Sequence, residues 1–162
     1  MLKDLLRAEL DHELATTKRL LDRIPPDKLA WKPHEKSMSL GGLGKHVASI
    51  PNWAPFILDR LELDLADAPR ALGEPNTLDD ILSLFETARA TARTALEKTD
   101  AELAALWLLK KNGQELFAMP RLSAYRSFVV NHLIHHRGQL SVYLRLNDVP
   151  VPAIYGPTAD EG

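Results

Sequence analysis

Three of the chain's six histidines, His132, His135 and His136, fall within five consecutive residues. On a helix that turns about 100° per residue, His136 lies about 40° from His132, and His135 lies about 60° away on the other side. The apolar residues of this segment surround His136 and border His132, which leaves His135 on the flank. An i, i+4 pair brings two side chains to neighbouring points of one face. We therefore predict that His132 and His136 point inward as a pair.

His46 meets the same test on an earlier predicted helix, because Leu43, Ile50, Ala54 and Ile57 lie within about 20–80° of it. Three imidazoles that face one interior are costly if they are charged and unpaired. A divalent metal ion resolves this cost, with zinc as the first choice and nickel, iron or manganese as alternatives. Three histidines without a fourth protein ligand leave a position open, as in catalytic zinc sites.

Other interpretations of the histidines stay open at this stage. A single histidine on an apolar face is more often bonded to a backbone carbonyl than to a metal, and the third ring is what favours a metal here. His34 lies in a proline-rich connection, where we expect it to be solvated. His12 is interpreted as a surface residue, with a pocket-lining or proton-shuttle role as the alternative.

The composition excludes several classes of function. The 162 residues contain 20 Lys and Arg, 22 Asp and Glu, and no cysteine, which gives a formal net charge of -2. The lack of cysteine excludes disulfides, thiolate catalysis and cysteine zinc sites, and the balanced charge does not favour nucleic-acid binding. The acid-rich start is not a signal peptide, and no apolar run approaches the roughly 18 residues of a membrane span. We expect one cytoplasmic domain over residues 1–162.

Helical periodicity predicts the elements that would position these side chains. A first helix is expected from Leu2 to Arg23, and Pro25 and Pro26 are expected to end it. A second helix is expected from Ser39 to about Leu65. Because Pro51 and Pro55 lie inside this helix, we predict a kink, with two shorter helices as the alternative.

The second half of the chain completes the predicted fold. A loop from Asp67 to Asn76 precedes a third helix capped by Thr77, and Thr99 opens a short extra helix. The Asn112-Gly113 pair predicts a small β-hairpin. The last helix is expected to follow Pro120 and to end near Leu146, with an irregular tail after it. The predicted fold class is therefore all-α, a four-helix bundle with a small hairpin before the last helix.

Four segments of the chain resemble the DinB superfamily. The segment from Tyr125 to Leu140, which contains the element His-His-Arg-Gly-Gln, resembles the last-helix signature of that superfamily. The stretch from Asn147 to Glu161 resembles its tail, and the segments from Pro25 to His34 and from Leu43 to His46 resemble its earlier parts. The likeness covers most of the chain, and the histidine-Arg-Gly-Gln element is quite specific.

The resemblance implies a metal-binding four-helix bundle that is often dimeric. Its metal is held by one histidine of the second helix and two of the last, which correspond here to His46, His132 and His136. Relatives include thiol-dependent transferases and isomerases. We therefore expect a metal-dependent enzyme, either a hydrolase or a thiol-dependent S-transferase or isomerase. A non-catalytic, metal-stabilised bundle or a small-ligand sensor is the alternative.

The expected partners are a small-molecule substrate, a low-molecular-weight thiol and a second copy of the chain. The aromatic residues Trp53, Phe56 and Trp107 could form an apolar dimer surface, although such residues more often lie in a core. We predict neither a nucleic-acid partner nor a membrane.

The sequence offers no clear general base. Asp11, Glu13 and Glu86 qualify by residue type, but each is expected to be a solvated helix residue. Arg137 and Gln139 adjoin the histidine pair. Each is expected either to orient a metal ligand through a hydrogen bond or to pair locally.

Overall fold

The structure of the protein is a computed structural model that describes residues 2–68 and 73–162. Its helices are α1 (Leu2–Leu21), α2 (Leu40–Ser49), α3 (Trp53–Leu58), α4 (Leu78–Ala95), α5 (Asp100–Ala104), α6 (Arg121–Tyr125) and α7 (His132–Leu146). Its strands are β1 (Glu62–Asp64), β2 (Leu106–Lys111) and β3 (Gln114–Pro120). Short 3₁₀ turns occupy Pro26–Lys28 and Ile50–Asn52, and a π-helical segment, Arg126–Asn131, joins α6 to α7.

The predicted helix caps are confirmed. The hydroxyl of Ser39 accepts a hydrogen bond of 2.8 Å from the backbone N–H of Gly42 at the start of α2. Thr77 and Thr99 each form a capping box, in which the side chain three residues later bonds back to the capping residue. The predicted loop from Asp67 to Asn76 contains Pro69, which lies outside the described residues.

The second predicted helix is interrupted. The helix α2 ends at Ser49, a 3₁₀ turn follows, and α3 runs from Trp53 to Leu58. Pro51 has no N–H to continue the α-helical ladder, so the two-helix alternative is the observed one. The expected extension to Leu65 is wrong, because Leu63 lies in strand β1 with its side chain in the core.

The all-α prediction is wrong in one region, where a three-stranded sheet in the order β1-β2-β3 packs beside the helices. The hairpin of β2 and β3 is confirmed, with positive φ angles of 52° and 79° at Asn112 and Gly113. Strand β1 was missed because it pairs in parallel with the distant β2, from Glu62 opposite Leu108 onward. The fold is mostly helical with this small sheet, and a four-helix bundle is not confirmed.

The three aromatic residues considered for a dimer surface belong to the core. Trp107 is fully buried, and its indole N–H donates to the backbone oxygen of Phe56 at 3.0 Å. Trp53 and Phe56 are partly buried and pack against the same core. The homodimer therefore stays a prediction without support from Trp107. None of the described helices combines the length and apolar character needed to cross a membrane.

A buried ion pair ties α7 to α1 and to the C-terminal tail. Arg137 and Glu13 are 1% and 6% exposed, and their charged atoms lie 2.7 Å apart. Arg137 also donates to the backbone oxygen of Glu13 at 3.0 Å. The hydroxyl of Tyr155 donates to the Glu13 carboxylate at 2.7 Å and accepts from Arg137 at the same distance. The pair therefore has hydrogen bonds that compensate for part of its desolvation.

Breaking this pair should destabilise the protein strongly. We expect Arg137→Met to lower the free energy of unfolding by about 3–5 kcal/mol, because it leaves the Glu13 carboxylate buried without its cation. The double variant Glu13→Leu/Arg137→Met should lose much less, since it leaves no unpaired charge. Urea unfolding would measure both changes.

Arg89→Met is the matched control, because Arg89 pairs with Glu86 at 3.7 Å on the exposed side of α4. We expect this control to change stability by no more than about 0.5 kcal/mol. Equal losses in the single and double core variants would contradict the burial argument.

Candidate metal centre

Three imidazole rings from two helices meet in the structure. His46 extends from α2, and His132 and His136 extend from successive turns of α7. The ring centroids of His46 lie 5.1 Å from His132 and 4.4 Å from His136, and the two α7 rings are 4.7 Å apart. All three rings are half-buried. We refer to these three residues as the three-histidine cluster.

The spacing within the cluster fits a divalent metal ion. Zinc–nitrogen bonds of about 2.0–2.1 Å in tetrahedral geometry place neighbouring nitrogens roughly 3.3 Å apart. The Nε2 atoms of His46 and His132 are 3.3 Å apart. One ligand atom from each of the three rings lies within 4.8 Å of the others.

The π-helical segment before α7 helps to set the orientation of His132. At its end, the backbone N–H of His132 bonds to the carbonyl of Val129, three residues back. The backbone carbonyl of Phe128 lies near the His132 ring and opposes the lowering of its pKa. The Nε2 atom of this ring faces His46 at 3.3 Å.

The side chain of Gln139 contacts the ring of His136. The Oε1 atom of Gln139 lies 2.7 Å from Nδ1 of His136. A carbonyl oxygen can only accept, so Nδ1 carries the proton and Nε2 is left with a lone pair. Of the two residues that adjoin the histidine pair, Gln139 is thus the one that contacts a ring of the cluster. Arg137, in contrast, points away from the cluster and pairs with Glu13.

The cluster favours neutral imidazoles. Burial and the neighbouring His136 and His132 rings lower the pKa of His46 from 6.5 to about 4. Burial also lowers the pKa of His132, with His136 adding to this effect and the Phe128 carbonyl opposing it. The pKa of His136 is lowered by burial, against the opposing hydrogen bond to Gln139. Neutral imidazole is the form that binds metals, so the rings need no deprotonation near neutral pH.

The remaining histidines lie outside the cluster. His12 and His34 are exposed, in agreement with their predicted surface positions, and His34 accepts a bond of 3.2 Å from the backbone N–H of Lys36. His135 is also exposed, but its Nε2 atom lies 3.2 Å from Nε2 of Gln139. Sequence reasoning assigned no role to His135, although the i, i+4 spacing to Gln139 is a signal for this contact.

The candidate bases are engaged elsewhere. Asp11 pairs with Arg93 at 3.3 Å, and Glu86 pairs with Arg89. The expectation that Glu13 is solvated is wrong, because it is buried against α7. Among the described residues, no carboxylate joins the three-histidine cluster. The cluster therefore offers three neutral nitrogen donors, and a tetrahedral ion held by them would keep one position for another molecule.

Comparisons with known proteins agree with one another. The model of the DinB family matches residues 2–162. The uncharacterized protein YrdA of Bacillus subtilis is 26% identical over 152 residues, which cover 93% of this chain and 86% of YrdA.

Two crystal structures of DinB-like proteins have a similar fold. The protein from Bacillus cereus is 24% identical, with a TM-score of 0.68, and the match covers 90% of this chain and 92% of that chain. The YjoA protein from Bacillus subtilis is 22% identical, with a TM-score of 0.69, and the match covers 98% of this chain and 99% of that chain. At these identities the likeness supports the fold alone.

We predict that the metal-free protein loses stability as the pH falls from 6.5 toward 4. The pKa of His46 is about 4 in the folded chain and 6.5 without the fold, so the unfolded state binds more protons in this interval. The stabilising contribution is complete above pH 6.5 and is lost as the pH falls through the interval. His46→Gln removes the group that takes up a proton on unfolding, so the stability of this variant relative to the wild type should rise as the pH falls.

Urea unfolding with a metal chelator across this pH range would measure the effect. A stability difference between the wild type and His46→Gln that does not change with pH would contradict the prediction.

Proposed function

The chain belongs to the DinB family, and on this premise we propose that it is a metal-dependent enzyme that acts on a small-molecule substrate. His46, His132 and His136 would hold a divalent metal ion, with zinc as the first choice. The observation that carries this proposal is the 3.3 Å separation between the Nε2 atoms of His46 and His132. This distance matches that between two nitrogen ligands of one tetrahedral ion, and in the metal-free protein a proton on either Nε2 atom makes the contact a hydrogen bond.

The metal centre has a clear chemical use. A divalent ion held by three nitrogens supplies Lewis acidity, which lowers the pKa of a bound water molecule or thiol. Hydrolysis and thiol-dependent transfer or isomerisation are therefore the candidate reactions. Since no described carboxylate joins the cluster, a protein base to assist water is lacking there. A small thiol, with an ordinary pKa of about 8.5, needs less help to lose its proton, so we favour the thiol-dependent reaction.

The packing of the core supports a catalytic role over a purely structural one. The fully buried core residues of α2, α7 and the π-helical segment include Leu43, Val47, Val129, Leu133 and Leu140. These side chains and the Glu13–Arg137 pair connect α1, α2 and α7 without a metal ion. Small proteins that depend on zinc to fold have, in contrast, little core of their own. The three rings are half-buried, which leaves the site accessible from solvent.

Removing any ring of the cluster should weaken metal binding. We expect His46→Gln, His132→Gln and His136→Gln each to bind Zn²⁺ at least about 100-fold more weakly than the wild type, because loss of a ligand should exceed the 10- to 100-fold effect of losing its hydrogen-bond partner. Titration calorimetry on chelator-treated protein without an affinity tag would give the affinities.

His12→Gln, on the exposed side of α1, is the control and should bind Zn²⁺ as the wild type does. Equal affinity in the control and in all three cluster variants would remove the basis of the proposal.

Activity should depend on the metal while folding does not. We expect the zinc-loaded protein to accelerate transfer of a small thiol to an electrophile, and His136→Gln to lose at least about 100-fold of that rate while it keeps its helical circular dichroism. Esters and amides would be assayed in parallel to test hydrolysis. If removal of the metal unfolds the chain and no substrate turns over, the metal-stabilised bundle is the correct interpretation. Metal binding without turnover, in a chain that stays folded, would favour the ligand sensor.

A further inference from the structure

Two exposed polar residues of α7, His135 and Gln139, lie against the outer side of the three-histidine cluster. Gln139 contacts Nδ1 of His136 through Oε1 at 2.7 Å and Nε2 of His135 through its amide nitrogen at 3.2 Å. We propose that His135 and Gln139 are positioning residues that hold the His136 ring in the tautomer with its Nε2 lone pair directed to the metal. This inference rests on the metal binding proposed above.

The amide group of Gln139 has a direction, and this direction decides the tautomer. Its oxygen accepts from Nδ1–H of His136, which leaves Nε2 unprotonated. A reversed amide would offer an N–H to Nδ1 and would stabilise the tautomer with the proton on Nε2. A protonated Nε2 cannot coordinate a metal ion. The orientation of one exposed amide therefore decides whether His136 can act as a ligand through Nε2.

His135 supports the productive direction of the amide. Its Nε2 atom accepts a hydrogen bond from the NH₂ group of Gln139, so reversal of the amide would also require the His135 ring to move its proton to Nε2. Gln139 is three residues after His136 and four after His135, the two spacings that make side chains neighbours on a helix. The rings of His135 and His136 also contact each other edge to face, with centroids 4.8 Å apart.

The two α7 rings of the cluster have different neighbours. The carbonyl of Phe128, in the π-helical segment, lies near the His132 ring. The His136 ring bonds instead to the side chain of Gln139, and His135 contacts the other end of that amide. The support for His136 therefore comes from exposed side chains of α7.

The ring nitrogen chemical shifts of His136, measured by NMR in the metal-free protein, would test the proposal directly. We expect a protonated Nδ1 in the wild type and in Gln139→Glu, which keeps an acceptor at the same position. Gln139→Met has a similar length and no acceptor, so its His136 should shift toward the tautomer protonated on Nε2. Its Zn²⁺ affinity should fall about 10- to 100-fold, whereas Gln139→Glu should stay within a few-fold of the wild type.

His135→Leu tests the outer member of the pair and should give the same tautomer shift in part, with a smaller loss of Zn²⁺ affinity. His135→Gln restores an acceptor for the Gln139 amide and should recover the wild-type tautomer. Ser141→Ala is the control, because the Ser141 hydroxyl donates to the carbonyl of Gly138 on the same helix. It should change neither readout.

An unchanged His136 tautomer in Gln139→Met would overturn the proposal, even if the wild type binds Zn²⁺ tightly. If the wild type binds no Zn²⁺, the proposed function fails, and the tautomer shift then decides alone whether His135 and Gln139 position the ring. The two failures are therefore distinguishable.

Discussion

Two imidazole nitrogens that face each other across 3.3 Å set the main constraint on this structure. His46 and His132 are half-buried, and burial together with the neighbouring rings opposes their protonation. With a proton on either Nε2 atom the contact is a hydrogen bond between two neutral rings. With both Nε2 atoms unprotonated, the two lone pairs would point at a shared cation at the spacing of two metal ligands. The same spacing therefore serves both the metal-free and the metal-bound cluster.

The surrounding fold holds the rings in this arrangement from several directions. Arg137 follows His136 by one residue, so the two side chains leave α7 about 100° apart. The buried pair of Arg137 with Glu13 fixes the side of α7 that faces α1. His136 is then directed toward α2 and His46. The π-helical segment and Gln139 complete the arrangement by orienting the individual rings. An ion pair that lies outside the cluster therefore contributes to its geometry.

The stable core and the three-histidine cluster are separate parts of the molecule. Apolar side chains and the Glu13–Arg137 pair stabilise the contacts between helices, while the cluster is accessible at their margin. The proposed metal-dependent activity would benefit from this separation, because the ligands of the ion could change without loss of the fold. The three carboxylates considered as bases, Asp11, Glu13 and Glu86, are all engaged in ion pairs.

The sequence by itself determined the features that depend on neighbouring residues. Helical periodicity selected His46, His132 and His136, Thr77 and Thr99 marked helix starts, and Asn112-Gly113 marked the hairpin. Tertiary structure alone decided the parallel pairing of β1 with β2 and the burial of Glu13 against Arg137. These contacts join residues far apart in the chain, so no local pattern encodes them.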